Sequence, residues 1–309
     1  MDHKISLIIT TFNEAKSIKV WCESVLNQTK LPDEVIVVDS NSEDATVKII
    51  QSMFKQAQFE LVIKSEKCNI SKGRNIAISS ASNDLVAITD GGVYLNSDWL
   101  ELIYLGLLDN NVVAGYYDFS GALAIQKVYR ELYYIEPLNV NPETFLPSSR
   151  SLGLKKIVWE KIGGYNEAYT IGEDTDFDLK ILKCGFSIKF IPEAIVSWDT
   201  RSSLIELITQ QFKYSFWDGI IKQNIKGHTF LALYSFLAFL SFYCLIFTSY
   251  NTIALITSIF IIFSPIILKF YKRSLNLSNL FCKSVVISSC LLSKGAGFIS
   301  GYIVGTLKK

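Results

Sequence analysis

Between residues 5 and 90 the chain alternates short apolar runs with stretches of helical periodicity, and this alternation limits the fold to a narrow class. Residues 5–10, 34–39, 59–63 and 84–89 are β-branched, apolar runs of strand length, and residues 15–27, 44–54 and 71–82 between them repeat apolar side chains at helical spacing. Strand, helix, strand in this rhythm builds a mostly parallel sheet with helices on both faces. In such sheets ligands bind beyond the carboxyl ends of the strands. The polar residues that end these runs are Thr11, Asn13, Glu14, Asp39, Asn41 and Asp90, and the topology expects them at one crevice. No GxGxxG follows the first strand and no GxxxxGK[ST] occurs anywhere, so the dinucleotide and P-loop readings both fail.

Further along, residues 112–116 are the clearest strand. Residues 144–153 are a polar loop carrying Arg150, and 155–161 a short helix closed by Gly163-Gly164. Strands are expected near 187–191 and 194–198. The segment Gly172-Glu173-Asp174-Thr175-Asp176-Phe177-Asp178 puts four carboxylates into six residues ahead of a helical pattern. Such crowding suits a helix N-terminus, where acids favour the dipole. It equally suits a metal, a bound cation or a general base. Trp198 is assigned to packing, with sugar stacking as the alternative.

Composition excludes some classes. Lys+Arg number 30 against 29 Asp+Glu, which leaves no basic footprint for nucleic acid. The six cysteines form no CxxC pair, and His3 and His228 lie far apart, so neither a zinc site nor a disulfide framework is expected. The N-terminus has no signal-like apolar stretch, which assigns the polar part to the cytoplasm. Residues 204–225 read as an amphipathic helix, suited to a membrane surface or to ordinary packing. Residues 229–250 contain no charge, and with 252–268 they read as a transmembrane hairpin flanked by lysines on the cytoplasmic side. Residues 285–306, with Lys294 and four glycines, are read as interfacial or re-entrant, with a third crossing as the alternative.

Four motifs in order then suggest a family. Ser6-Leu-Ile-Ile-Thr-Thr-Phe-Asn-Glu14, Val35-Ile-Val-Val-Asp39, Thr89-Asp-Gly-Gly92 and Gly172-Glu-Asp174 together resemble glycosyltransferase family 2, over roughly residues 4–226. The resemblance implies a GT-A fold (Rossmann-like α/β, a mostly parallel mixed sheet) and a nucleoside diphosphate sugar donor. It further implies that Thr11 and Glu14 line the nucleotide pocket, with Asn13 and Asn41 beside them, and that Asp39 faces the base and ribose. Arg74 matches a basic position near the nucleotide. Asp90 matches the acid that holds the diphosphate through Mg²⁺ or Mn²⁺. Asp174, paired with Glu173, matches the catalytic base of an inverting transfer. Arg150 and Arg201 are added here as phosphate candidates, with surface salt bridging as the alternative. The chain departs from the family pattern at Ser40, where many members have a second Asp, at Asp90-Gly91-Gly92, which lacks a second acid, and in the absence of QxxRW.

These readings divide the chain into a glycosyltransferase domain over 1–202, a juxtamembrane helix over 203–228 and a membrane region over 229–309. The expected activity is non-processive transfer to a lipid-linked or glycan acceptor at the membrane, in cell-envelope polysaccharide synthesis. The alternatives are a processive exopolysaccharide synthase and a non-catalytic domain that binds a sugar nucleotide or a partner.

Overall fold

The computed structural model describes residues 3–222, 225–247, 258–260, 264–265 and 280–307. The chain divides into two compact units: Met1–Phe119 with Ile135–Asp199, and Ser120–Tyr134 with Thr200–Lys309.

The first unit is built on one eight-stranded sheet. Its strands are β1 (Ile5–Thr11), β2 (Glu34–Asp39), β3 (Glu60–Ser65), β4 (Leu85–Asp90), β5 (Val93–Leu95), β6 (Val112–Ser120), β7 (Leu152–Lys155) and β8 (Lys189–Asp199), in the order β3-β2-β1-β4-β7-β6-β8-β5. The strands β3, β2, β1 and β4 are parallel neighbours, while β7 runs antiparallel to both β4 and β6. The mixed sheet therefore confirms the α/β class expected from the alternation.

Period-two alternation places each central strand in two cores. Ile5, Leu7 and Ile9 of β1 join Val35 and Val37 of β2 on one face, against Ile18, Trp21, Cys22 and Val25 of helix α1 (Ile18–Leu26). Helices α2 (Thr46–Met53) and α4 (Trp99–Asp109) complete that layer. Ile8, Ile36, Val38, Val86 and Ile88 point to the other face, onto α3 (Ile70–Ser80), α6 (Lys156–Ile162) and α7 (Glu173–Lys183). Burial on both faces is why β2 reads as a nearly continuous apolar run. The outer strands are blunted differently: β3 is largely exposed and β5 is three residues long. The two strands expected at 187–191 and 194–198 are one strand, β8. Pro192 lies outside its pairing with β5, which covers only Val196–Trp198, so its missing N–H costs that ladder nothing.

The second unit is helical: α5 (Ala124–Tyr133), α8 (Leu204–Ile221), α9 (Ile225–Phe247) and α10 (Leu280–Leu307). Its C-terminal part starts at Thr200, and α5, from the middle of the chain, belongs with these later helices. Polar bonds hold it there: Gln126 Nε2 donates to the Thr200 carbonyl at 2.7 Å, Gln211 Nε2 to Tyr129 Oη at 3.2 Å, and Lys283 is ion-paired to Glu131. The re-entrant reading of 285–306 is corrected. A re-entrant segment needs a break, whereas α10 runs unbroken over 28 residues. Its glycines serve close packing instead. A Cβ at Gly297, Gly301 or Gly305 would lie 2.4, 1.8 or 2.8 Å from the carbonyl oxygen of Phe212, Phe216 or Ile220 on α8. Spacing of four on both helices makes a small-residue seam that lets two backbones touch. Among the described residues, α10 is the one helix long and apolar enough to cross a membrane by length and composition. The expected arm over 252–268 lies outside the described residues, apart from 258–260 and 264–265.

Candidate active site

The parallel register brings the strand-end residues together. Thr11 of β1 pairs with Asp39 of β2, and Thr10 with Asp90 of β4. Asp39 and Asp90 therefore flank the end of β1, two strand spacings or ~10 Å apart. At the β1–β2 end the side chains satisfy one another. Thr11 Oγ1 donates to Asp39 Oδ1 at 3.1 Å, and Ser42 donates to both Asp39 oxygens, through Oγ at 2.5 Å and its backbone N–H at 2.8 Å. Asn13 and Asn41 adopt left-handed backbone (φ 55° and 57°), which Asn tolerates well. Asn13 Oδ1 accepts the Glu43 N–H at 2.9 Å, and Asn41 stands exposed at the turn. Asp39 is buried with its oxygens taken up in this turn. Glu14 is half-buried and accepts the Ser17 hydroxyl at the start of α1.

The second cluster forms around Arg74. Its side chain is 2% exposed. Nη2 lies 2.8 Å from Asp90 Oδ1, and Nη1 lies 3.0 Å from Glu173 Oε1 and 2.9 Å from Asp174 Oδ1. Asp90 comes from the end of β4 and the other two acids from the first turn of α7, which begins after Gly172 at φ 79°. Both readings of the acidic segment therefore hold at once: it is a helix N-terminus, and its charges meet a buried cation. The basic residue assigned to the nucleotide is the partner of three carboxylates. The approach that seats it is tight, since a Cβ on Gly73 would lie 2.9 Å from Thr10 Cγ2.

A third element closes the cluster from the loop before β7. Ser148 Oγ donates to Asp174 Oδ2 at 3.2 Å and accepts from Arg150 Nη1 at 3.0 Å. Arg150 Nε stands 3.5 Å from Asp90 Oδ2, and its guanidinium lies 4.8 Å from the Trp198 ring centroid. Ser148 went unnoticed in the sequence because a serine in a polar loop carries no signal of its own. Trp198 sits beside the charged cluster, not solely in packing, and its buried Nε1 makes no hydrogen bond among the described residues. Arg201 is not brought into this group: it lies in the second unit, exposed, with its charge near Glu206.

The electrostatics follow from burial and crowding. Burial opposes ionisation of Asp90, yet the Arg74 and Arg150 guanidinium groups outweigh it and hold this carboxyl below its ordinary value. Glu173 goes the other way: burial and the neighbouring Asp174 push it up to about 7, with Arg74 opposing. Asp178, one turn further along α7, is 1% exposed and Oδ2 lacks a hydrogen bond. Burial, then Asp174, raises it well above its ordinary value.

No group of three or more His, Cys, Asp or Glu converges on a metal position among the described residues. Asp90 alone offers an oxygen, Oδ2, whose approach to Arg150 is longer than a good hydrogen bond. One carboxylate suits Mg²⁺ or Mn²⁺ when substrate phosphates and water supply the other ligands. The residues fit an ion that arrives with a diphosphate and do not form a standing cage. The missing second acid is not a steric matter: a Cβ on Gly92 would meet only Glu14 Oε2, at 3.9 Å.

Comparison with known proteins bears on the family and the fold. The glycosyl transferase family 2 profile matches residues 6–159, from β1 through Asp90 to α6. Residues 6–159 are a family 2 glycosyl transferase domain. The O-antigen chain rhamnosyltransferase RfbN of Salmonella typhimurium is 26% identical over 219 residues, covering 62% of this chain and 65% of that protein. The Methanococcus voltae enzyme named dolichyl N-acetyl-alpha-D-glucosaminyl phosphate 3-beta-D-2,3-diacetamido-2,3-dideoxy-beta-D-glucuronosyltransferase is 26% identical over 244 residues, covering 70% of this chain and 73% of its own length. Among solved structures, the mannosyltransferase PcManGT of Pyrobaculum calidifontis, in complex with GDP-Man and Mn²⁺, aligns with a TM-score of 0.59 at 16% identity. That alignment covers all of this chain and 88% of the neighbour, and it supports the fold. The family read from four motifs is the one whose profile matches residues 6–159.

Proposed function

We propose that this chain is an inverting glycosyltransferase that moves one sugar from a nucleoside diphosphate donor to a lipid-linked or glycan acceptor in cell-surface glycan synthesis. One observation carries the proposal: Asp90 at a strand end and Glu173-Asp174 at a helix start meet on a single buried guanidinium, beside the Thr11–Asp39 turn. Three acids from distant parts of the chain around one cation cost stability and are expected where charge is put to use.

In this reading the donor nucleotide lies at the β1–β2 end, bounded by Thr11, Glu14 and the Asp39 turn. Its diphosphate faces Asp90 and Arg150, and Arg suits such a contact by its forked donors. A divalent ion held by Asp90 and the phosphates would neutralise charge on the leaving diphosphate. Asp174, oriented by Ser148 and Arg74, accepts the proton of the attacking acceptor hydroxyl. Attack from the face opposite the diphosphate inverts the anomeric carbon.

The helical unit supports membrane attachment. The helix α10 would span ~42 Å, longer than the ~30 Å hydrocarbon core. Phe230, Leu233, Phe236, Leu237 and Leu240 of α9 point outward as exposed apolar side chains. We infer more than one crossing, with the catalytic domain on the cytoplasmic side. The relatives include enzymes named for O-antigen chain and dolichyl-linked substrates, which favours an acceptor held at the membrane.

The test uses membranes containing this protein, Mg²⁺ or Mn²⁺, and radiolabelled UDP-, GDP- and dTDP-sugars, with label counted in the organic phase and in glycan. Label transferred from one donor and lost in Asp174→Asn is the expected result. A folded protein that transfers from no donor to either fraction would sink the catalytic reading and leave a binding domain. Product of one added sugar separates this reading from a polymerising synthase.

A further inference from the structure

We propose that Arg74 is a positioning residue that ties the donor side of the site to the acceptor side, so that charge at Asp90 and charge at Asp174 are felt by each other through one guanidinium. This rests on the transferase reading and adds a coupling that the separate motifs do not contain. The two terminal nitrogens divide the work: Nη2 faces Asp90 at 2.8 Å, while Nη1 faces Glu173 and Asp174 at 3.0 and 2.9 Å.

The group has little freedom to do anything else. Its Nε is buried without a hydrogen bond, so the fork is held by its terminal nitrogens alone. Its Cζ lies 5.4 Å from the Tyr165 ring centroid. That ring is fixed by stacking on Phe177 at 3.9 Å and by a 2.7 Å hydrogen bond between Tyr165 Oη and Ser149 Oγ. Arg150, the other nearby cation, stands 3.5 Å from Asp90 Oδ2 and donates to Ser148, which in turn donates to Asp174. Arg74 pairs directly with acids of both sides.

One guanidinium shared by three carboxylates is a redistributable charge. When a diphosphate and its ion engage Asp90, the hold of Arg74 on that carboxylate changes, and the change reaches Asp174 across one hydrogen bond. The coupling works in both directions, so neutralising Asp174 is expected to alter affinity on the Asp90 side.

The experiment is a double-mutant cycle on the full-length purified chain. Binding of UDP, GDP and dTDP, each with Mn²⁺, is measured by calorimetry for the wild type, Asp174→Asn, Arg74→Gln and the double variant. Asp174→Asn is expected to shift affinity for the binding nucleotide by about fivefold or more when Arg74 is present, and by less than about twofold when it is combined with Arg74→Gln. Equal shifts in both backgrounds overturn the coupling. A folded wild type that binds none of the three nucleotides overturns the transferase reading itself, which keeps the two failures distinct.

Arg74→Lys covers the case in which the Gln variant does not fold. Lys keeps the buried charge but replaces the fork with a single point. Sugar transfer by a folded Lys variant is expected to lose about 100-fold in kcat, with the donor KM moved less than about fivefold, because misplaced groups cost rate more than binding. Wild-type kcat in the Arg74→Lys variant would show that the fork is not needed and would overturn the proposal.

Discussion

The two units handle buried charge in opposite ways. In the helical unit the described contacts include simple pairs: Lys283, 1% exposed, pairs with Glu131, and His228 Nε2 lies 3.0 Å from Asp218 Oδ2. His228 is also stacked on Phe298 at 4.5 Å and is a buried, packed residue. In the sheet unit, three carboxylates crowd one guanidinium, with a fourth acid, Asp178, buried beneath. A matched pair is complete in itself and needs nothing further. An unmatched cluster is stable only when protons, an ion or a substrate supply the missing charge, and it therefore points to function.

The contrast breaks most sharply at Asp174. Asp174→Asn is expected to reduce sugar transfer by roughly 10³-fold, within the range for loss of a general base, with little change in thermal midpoint. Transfer retained within about tenfold in the labelled-donor assay would move the base elsewhere. In the matched pair the expected loss is stability instead. Glu131→Gln removes the charged partner of Lys283 and should cost about 2 kcal/mol in thermal or denaturant unfolding, while transfer per folded molecule stays unchanged. Equal loss of activity and stability would erase the distinction between the units.

Glu173 sharpens the comparison through pH. Its folded value, about 7, lies above its ordinary 4.5, so between those values the folded protein holds a proton that the unfolded chain has released. Stability contributed by this group is present below about 4.5, falls as pH rises toward 7, and is flat above it. Glu173→Gln removes that slope. The variant should gain on the order of 3 kcal/mol relative to wild type between pH 4.5 and 7.5, read from urea unfolding at several pH values. Parallel profiles for the two proteins would show that Glu173 is ionised throughout. The smallest effect is expected at Gly92→Asp, where a Cβ meets only Glu14 Oε2 at 3.9 Å. Stability should change by less than about 0.5 kcal/mol. Mn²⁺-dependent nucleotide binding should tighten, and an unchanged ion dependence would argue that Asp90 acts without a second acid.

Much of this was legible because strands write their periodicity into the sequence. The β2 range agrees with its apolar run, and Asp39 and Asp90 fall at strand ends as the alternation implies. The acidic run at Glu173 was visible as a crowding of like charge. Arg74 was visible only as a residue in a family motif, because its partners lie 16, 99 and 100 positions away. Ser148 carried no local pattern at all. The glycines of α10 were legible as unusual, but their effect was not: against α8 they permit backbone contact.

The sequence by itself determined the sheet class, the strand-end residues and the family, because period, turn chemistry and motif order are local properties. Only the tertiary structure decided which acids share a cation, which arginine is buried, and that α5 belongs with the C-terminal helices. Those facts depend on which distant segments meet, and charge and packing energies are set by separations of a few ångströms in space, whatever the distance along the chain.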